Sequence, residues 1–334
     1  MTEAATPLPR ARALVTIARE RSGQGLIFVV LLGLFLLFSV MRPSQFPTAF
    51  NLRSLGLSAS VIALLAVGQT FVIIGGGIDL SVGSVLVFSG VVAAKAINGL
   101  GAATSLGAIV LVGTVVGLGA GASWGAVNGF LAVRGGIPDF IVTLGTFGMA
   151  YGLAAVITGG SDITTPLKLT TKLGNGNAFG VPWLLLIALV AAIVMQVVLT
   201  ATRFGRYTYA VGSNREAGRR VGVKVDRQRI SLYMISGGLA GLGGFLALAL
   251  YNNTTIGAHG NDNLVVIAAV VIGGTSLFGG TGSVLGTIAG VLVPVVLQNG
   301  FVIVGVPTFW QPVAIGAVLI AAVYIDGRRR TAAR

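Results

Sequence analysis

The chain has no cysteine, only one histidine and only nine acidic residues among its 334. The missing cysteines exclude disulfides and thiol chemistry, and they leave the redox compartment unread. His259 stands in a short polar stretch and reads as a solvated loop residue; without a second His or any Cys, a zinc site lacks ligands. There is no HExxH and no Asp cluster to hold paired metals. None of the four lysines (Lys95, Lys168, Lys172, Lys224) follows a glycine, so there is no Walker A phosphate cradle. Neither a catalytic centre, a metal nor a cofactor is expected. Charge is scarce too: 9% of residues, against about 25% in soluble domains.

What fills the chain is apolar: 54% of residues, in several runs of about 18 or more without charge, the signature of membrane-crossing helices. Fifty-one glycines suit close helix approach in lipid, where small residues replace the missing hydrophobic drive. The fold class is therefore all-α, a polytopic membrane protein. The net charge of +13 does not point to nucleic acid, because the basic residues flank apolar segments as topology requires.

Ten spans are expected, near 26–41, 55–75, 82–98, 105–132, 138–157, 182–201, 230–250, 264–278, 283–304 and 311–326, with the third and eighth the weakest. Residues 1–23 form a basic tail, 24–326 the membrane domain and 327–334 a second basic tail. The first apolar run reads as an uncleaved span, since no small-x-small site follows it. With both termini cytoplasmic, 17 of the 22 Lys and Arg residues fall inside, and Arg42, Arg53, Lys95, Lys168 and Lys172 lie at or near the outer face. VIIGGGIDLSVGSVL (72–86) echoes VVIGGTSLFGGTGSVL (270–285), each a β-branched run breaking into glycines before another span. Such breaks suit interrupted helices flanking a transport pathway.

One internal loop, 202–229, carries eight of the basic residues. Within it, Ser213 or Asn214 can cap a short helix, Glu216 favours its first turn, Arg219 and Arg220 its last, and Gly222 stops it. Glu216-Ala217-Gly218 followed by Gly222 resembles the Glu-Ala-Ala-xxx-Gly signature of ABC importer membrane subunits. Gly218 stands in place of the second Ala, and the following ISLY lacks the usual Pro. GGGIDLSVGS (75–84), IPDFIVTLGT (137–146), TRFGRYTYAVGSNREAGRRVGV (202–223) and IAAVVIGGTSLFGGTGSVLGT (267–287) extend the likeness from about residue 50 to 325. They resemble the permeases of ribose-type sugar ABC importers, carriers of ribose, xylose, galactose, fructose, inositol and related polyols.

That resemblance implies a homodimer of two permease copies in a prokaryotic plasma or inner membrane. It implies a cytoplasmic ATPase, often one chain with two fused nucleotide-binding halves, and an extracytoplasmic sugar-binding protein. Gly212, Ser213, Asn214, Glu216, Ala217 and Gly222 would form the coupling element seated in the ATPase. A neutral sugar needs uncharged polar contacts, for which Gln69, Asn128, Thr143, Thr146, Gln298 and Asn299 are the intramembrane candidates. Asp79 joins them as a pathway-lining residue or a helix cap; a proton relay through it would make the chain an ion-coupled carrier instead. Asp139 follows Pro138 at a helix start and reads as a cap. Nucleosides or branched-chain amino acids are the alternative cargo of related permeases.

Overall fold

A computed structural model describes residues 25 and 27–331, apart from Ala102 and Thr255. The basic tail 1–23 lies outside the described residues, and the tail 327–334 is described only to Thr331. The chain runs α1 (Ile27–Met41), α2 (Ala49–Ile74), α3 (Val82–Asn98), α4 (Leu106–Val133) and α5 (Asp139–Thr158). A one-turn α6 (Leu167–Leu169) widens into a π-helical turn, Thr170–Gly174, and a two-residue hairpin follows, β1 (Asn177–Ala178) and β2 (Val181–Pro182). Then come α7 (Trp183–Ala201), α8 (Arg203–Ser213), α9 (Arg215–Arg220), α10 (Val225–Tyr251), α11 (Asp262–Ile272), α12 (Val284–Val304) and α13 (Trp310–Thr331).

Among the described residues six helices, α2, α4, α5, α7, α10 and α12, are long and apolar enough to cross a membrane. Four shorter apolar helices accompany them: α1, α3, α11 and the Trp310–Tyr324 part of α13. Local chemistry sets many of the boundaries. Thr48, Ser105 and Ser283 each accept from a backbone N–H in the first turn of α2, α4 and α12. Gly159 and Gly305, at φ 65° and 85°, end α5 and α12 in the left-handed conformation that glycine adopts without a Cβ penalty.

Helices α2 and α10 are buried almost all round, while α4, α5 and α7 each leave a broad apolar face open. The tightest seam joins α4 to α10. Gly113, Gly117, Gly121, Gly125 and Gly129 recur every fourth residue on α4 and so form one stripe along the helix. A Cβ on Gly121 would lie 2.0 Å from the Gly237 carbonyl oxygen, and one on Gly125 would lie 2.0 Å from that of Tyr233. The reciprocal positions on α10 are as tight: a Cβ on Gly237 or Gly241 would come within 2.1 or 2.0 Å of a carbonyl oxygen of α4. The helices meet backbone to backbone, an approach that only glycine permits.

Two glycine-rich breaks interrupt the bundle, residues 75–81 between α2 and α3 and 273–283 between α11 and α12. They meet directly, with the Gly280 N–H donating to the Ile74 carbonyl at 2.8 Å. After α2 ends, the first break folds back alongside it. The Gln69 amide, oriented to satisfy both partners, donates to the Asp79 carbonyl and accepts from the Asp79 N–H at 3.2 Å each. Helix α3 therefore starts within the bundle, and its backbone at Gly83 lies against the His259 carbonyl, at the loop that opens α11. Irregular backbone at such depth requires protein cover, and Ser81, Val82 and Ser84 are fully buried.

The basic residues separate by end. Arg134 and the 202–229 loop share the end where α2 terminates. At the opposite end Arg42 and Arg53 donate to the carbonyls of Val304 and Asn175, and Lys168 to that of Thr104.

Candidate functional site

The four sequence segments that carried the resemblance converge on the basic end. Helix α7 turns sharply into α8, capped by Thr202, whose hydroxyl accepts from the Gly205 N–H at 3.3 Å. Gln228, at the start of α10, ties this helix down by donating to the Phe204 carbonyl and the Thr208 hydroxyl at 3.0 and 2.9 Å. Tyr209 donates to the Gly282 carbonyl at 2.7 Å, so the second glycine break is held by α8. At the far end of α8, a Cβ on Gly212 would fall 1.7 Å from the Ile74 carbonyl oxygen.

Asn214 then caps α9, its Oδ1 accepting from the Ala217 N–H at 2.9 Å. The helix closes with a paired C-terminal motif: Gly222 donates to the Arg219 carbonyl and Val223 to the Gly218 carbonyl, with Gly222 at φ 83°. Glu216 and Arg220 pair at 2.6 Å on its outer surface, their side chains 75% and 77% exposed. The six expected coupling residues thus divide by role. Gly212 and Ser213 face the glycine break, Asn214 and Gly222 shape the short helix, and Glu216 and Ala217 point outward.

Behind α9 lies an open cleft of about 510 Å³ between Gly76–Ile78, Gly136–Phe140, Arg215 and Arg229. Arg215 donates to the Gly76 carbonyl at 2.6 Å, which links the α9 helix to the first break. Burial, and then the neighbouring Arg229, lower the pKa of its guanidinium, but an arginine at such a site stays charged. Arg229 pairs with Asp139 at 2.7 and 2.8 Å to its two oxygens, with side chains only 11% and 16% exposed. Asp139 opens α5, where the helix dipole favours its charge. Arg229→Ala would strand that carboxylate, and it is expected to destabilise the protein by roughly 3–5 kcal/mol. Thermal unfolding in detergent checks this, and the double variant Arg229→Ala with Asp139→Asn should recover most of the loss.

The expected pathway residues fall into separate groups. Asp79 accepts three hydrogen bonds: Ser81 N–H at 2.9 Å and Ser81 hydroxyl at 2.6 Å on Oδ1, and Ser236 hydroxyl at 3.1 Å on Oδ2. Asn128 donates to that same Ser81 oxygen at 2.8 Å. With Gln69 on the Asp79 backbone, these residues knit α2, the break, α4 and α10 into one buried network. Thr143 and Thr146 are buried along α5 and donate to the Asp139 and Thr143 carbonyls at 3.0 and 3.3 Å. Asn299 lies at the opposite end, donating to Asn51 at 2.9 Å, with Gln298 half-buried beside it. A single chain does not bring the seven together.

His259 corrects the expectation of a solvated loop residue. It is 7% exposed and its Nδ1 lies 2.7 Å from Asp262 Oδ2. The sequence could have flagged this through the His-x-x-Asp spacing at the start of an apolar run. The Arg229–Asp139 pair spans 90 positions and had no local signal.

Residues 51–323 match the family described as the permease component of the branched-chain amino acid transport system. The chain belongs to this permease family. It is similar to the ribose import permease protein of Bacillus subtilis (strain 168), 38% identical over 307 residues that cover 89% of this chain and 92% of the relative. The ribose import permease protein of Escherichia coli (strain K12) is 37% identical, covering 90% of this permease and 93% of its own length. The L-arabinose transport system permease protein of the same strain is 34% identical, covering 94% and 93%. No solved structure matches. The permease is a multi-pass membrane protein, and its four converging segments all lie within the matched region.

Proposed function

We propose that this permease forms the translocation pathway of an ATP-driven importer for a neutral monosaccharide or polyol, with pentoses such as ribose and arabinose the leading cargo. The observation that carries the reading is its similarity to ribose import permeases along nearly the whole chain. In this reading residues 24–326 form the membrane domain, with ten spans and both termini cytoplasmic. Two copies pair through their open apolar faces, such as that of α5 with Phe140, Leu144 and Met149. The loop 202–229 meets a cytoplasmic ATPase, a chain with two fused nucleotide-binding halves, and the opposite end receives a sugar-binding protein. The outward, doubly capped α9 supports the ATPase contact, because its exposed face packs on nothing among the described residues. Closure of the ATPase halves would drive paired α9 helices together and shift the bundle between outward- and inward-facing states.

The test is uptake of radiolabelled ribose and L-arabinose into vesicles holding the permease with the ATPase and binding protein encoded beside it. Uptake that requires ATP and the binding protein is expected. Uptake without the ATPase that follows a proton gradient would sink the reading in favour of an ion-coupled carrier. Leucine or a nucleoside taken up in place of the sugars would keep the importer and change its cargo.

A further inference from the structure

Part-way through the bundle, three elements meet away from the basic-end cleft. The loop before α11 places His259 against the first turn of α3, where a Cβ on Gly83 would lie 2.6 Å from the His259 carbonyl oxygen. The same loop meets α5, where a Cβ on Gly260 would lie 3.6 Å from Tyr151 Oη. Tyr151 stacks edge-on against Phe147, ring centroids 5.1 Å apart. Tyr151 is eight positions beyond Thr143 on α5, so it stands about 12 Å further from the basic end.

Two polar atoms at this junction are buried without a hydrogen-bond partner among the described residues: Tyr151 Oη and His259 Nε2. The His259 side chain is only 9% exposed, and its other nitrogen is committed to Asp262. Ten buried side-chain atoms lack a partner among the described residues, and these two, from different elements, lie at one junction, where a ligand or a water can satisfy both. Phenylalanine would fill the Tyr151 site without stranding an oxygen.

We propose that Tyr151 and His259, the latter oriented by Asp262, form a hydroxyl-recognition station for an unphosphorylated carbohydrate within the bundle. Asp262 orients the ring through Nδ1, which leaves Nε2 facing the junction, an acceptor in the tautomer that carries its proton on Nδ1. The phenol both donates and accepts. Neighbouring sugar hydroxyls, each donor and acceptor at once, complement that pair, and the Phe147–Tyr151 edge offers an apolar wall for the C–H face of a sugar ring. Asp262 stands in the first turn of α11, and a phosphate beside its carboxylate would meet like charge. The beginnings of α3 and α11 meet here, where a Cβ on Gly83 would lie 3.6 Å from Asp262 Cβ. Thr143 and Thr146 continue the buried polar line along α5 toward the basic end.

This station rests on the carbohydrate-importer reading, and the experiment separates the two. Tyr151→Phe and His259→Asn are each introduced into the full importer; Asn retains a donor for Asp262 and deletes Nε2. Radiolabelled ribose and L-arabinose are the probes, and ATP hydrolysis stimulated by the loaded binding protein is measured beside uptake. Each variant is expected to lower uptake roughly three- to tenfold, the range of one lost uncharged hydrogen bond. Stimulated hydrolysis should stay within about twofold of the unmodified complex and Tyr151→Phe should not melt earlier, since it removes an unpaired oxygen. Unchanged uptake in either variant overturns the station, as does a parallel fall of uptake, hydrolysis and melting temperature, which marks a structural role. Failure of the unmodified complex to take up either sugar overturns the carbohydrate reading, and with it this ligand class.

Discussion

Gly121→Leu is expected to prevent the permease from assembling. Its Cβ would fall 2.0 Å from the Gly237 carbonyl oxygen and 2.9 Å from the Gly241 nitrogen, both main-chain atoms of a helix buried almost all round. A flexible side chain could rotate away; a backbone carbonyl cannot without displacing α10, which also packs on α2 and α3. Ordinary overpacking costs about 1–3 kcal/mol, and relief here would require parting two main chains, so the cost should exceed that range. The close seam also brings Cα–H groups toward carbonyl oxygens, weak contacts of about 0.5–1 kcal/mol each that a forced separation would forfeit. The measurement is the yield of monodisperse protein in detergent and its melting temperature. Gly119→Ala is the matched control, two residues away on the exposed face with nothing within 4 Å of its Cβ. It should be neutral or slightly stabilising through helix propensity. A Gly121→Leu protein that purifies and melts like the parent would show that the seam tolerates separation.

Glu216→Lys is expected to uncouple the permease from the proposed ATPase while leaving the fold intact. Its only partner among the described residues is Arg220, in an ion pair exposed on both sides. Exposed pairs of this kind contribute about 0–1 kcal/mol, so insertion and melting temperature should barely move. Helix α9 would still be capped by Asn214 and stopped at Gly222. What changes is the outward surface: a negative charge in the first turn, where the helix dipole favours it, becomes positive beside Arg215, Arg219 and Arg220. Against a partner surface complementary to the original charge, like-charge juxtaposition costs several kcal/mol. ATP hydrolysis stimulated by the loaded binding protein should therefore fall at least tenfold, roughly 1.4 kcal/mol or more of lost coupling. Normal stimulation in this variant would remove Glu216 from the docking surface.

Both predictions draw on features legible in the sequence to different degrees. Among the described residues the ten apolar runs correspond to six helices long and apolar enough to cross a membrane and four shorter apolar ones, because hydropathy over about 20 residues is a coarse property that tertiary detail hardly disturbs. The short helix α9 was legible from its capping chemistry, which acts within four residues. Helix α8 is not legible in the sequence, because the arginines among Phe204, Thr208 and Val211 mask the apolar face those residues form on folding. The start of α10 at Val225, five positions before the expected span, was hidden in the same way by Asp226, Arg227 and Arg229. Asp79 and His259 needed tertiary information: the donors that satisfy the first come partly from Ser236, and the burial of the second depends on α3 and α5. The glycine stripe of α4 was different. Its period of four stands in the sequence in plain view, and only the partner helix needed the structure.

That stripe also shapes how the gene can vary. Every codon for glycine begins with the same two bases, and any single-base change that alters the residue installs at least a Cβ, most often with a branch, a charge or a ring. At Gly117, Gly121 and Gly125 even the smallest such gain meets main chain within 3.0 Å. These positions consequently have no conservative neighbour one mutation away, whereas Gly107 and Gly119 on the same helix open onto free space and can drift. One helix thus carries both tightly constrained and freely variable glycine codons.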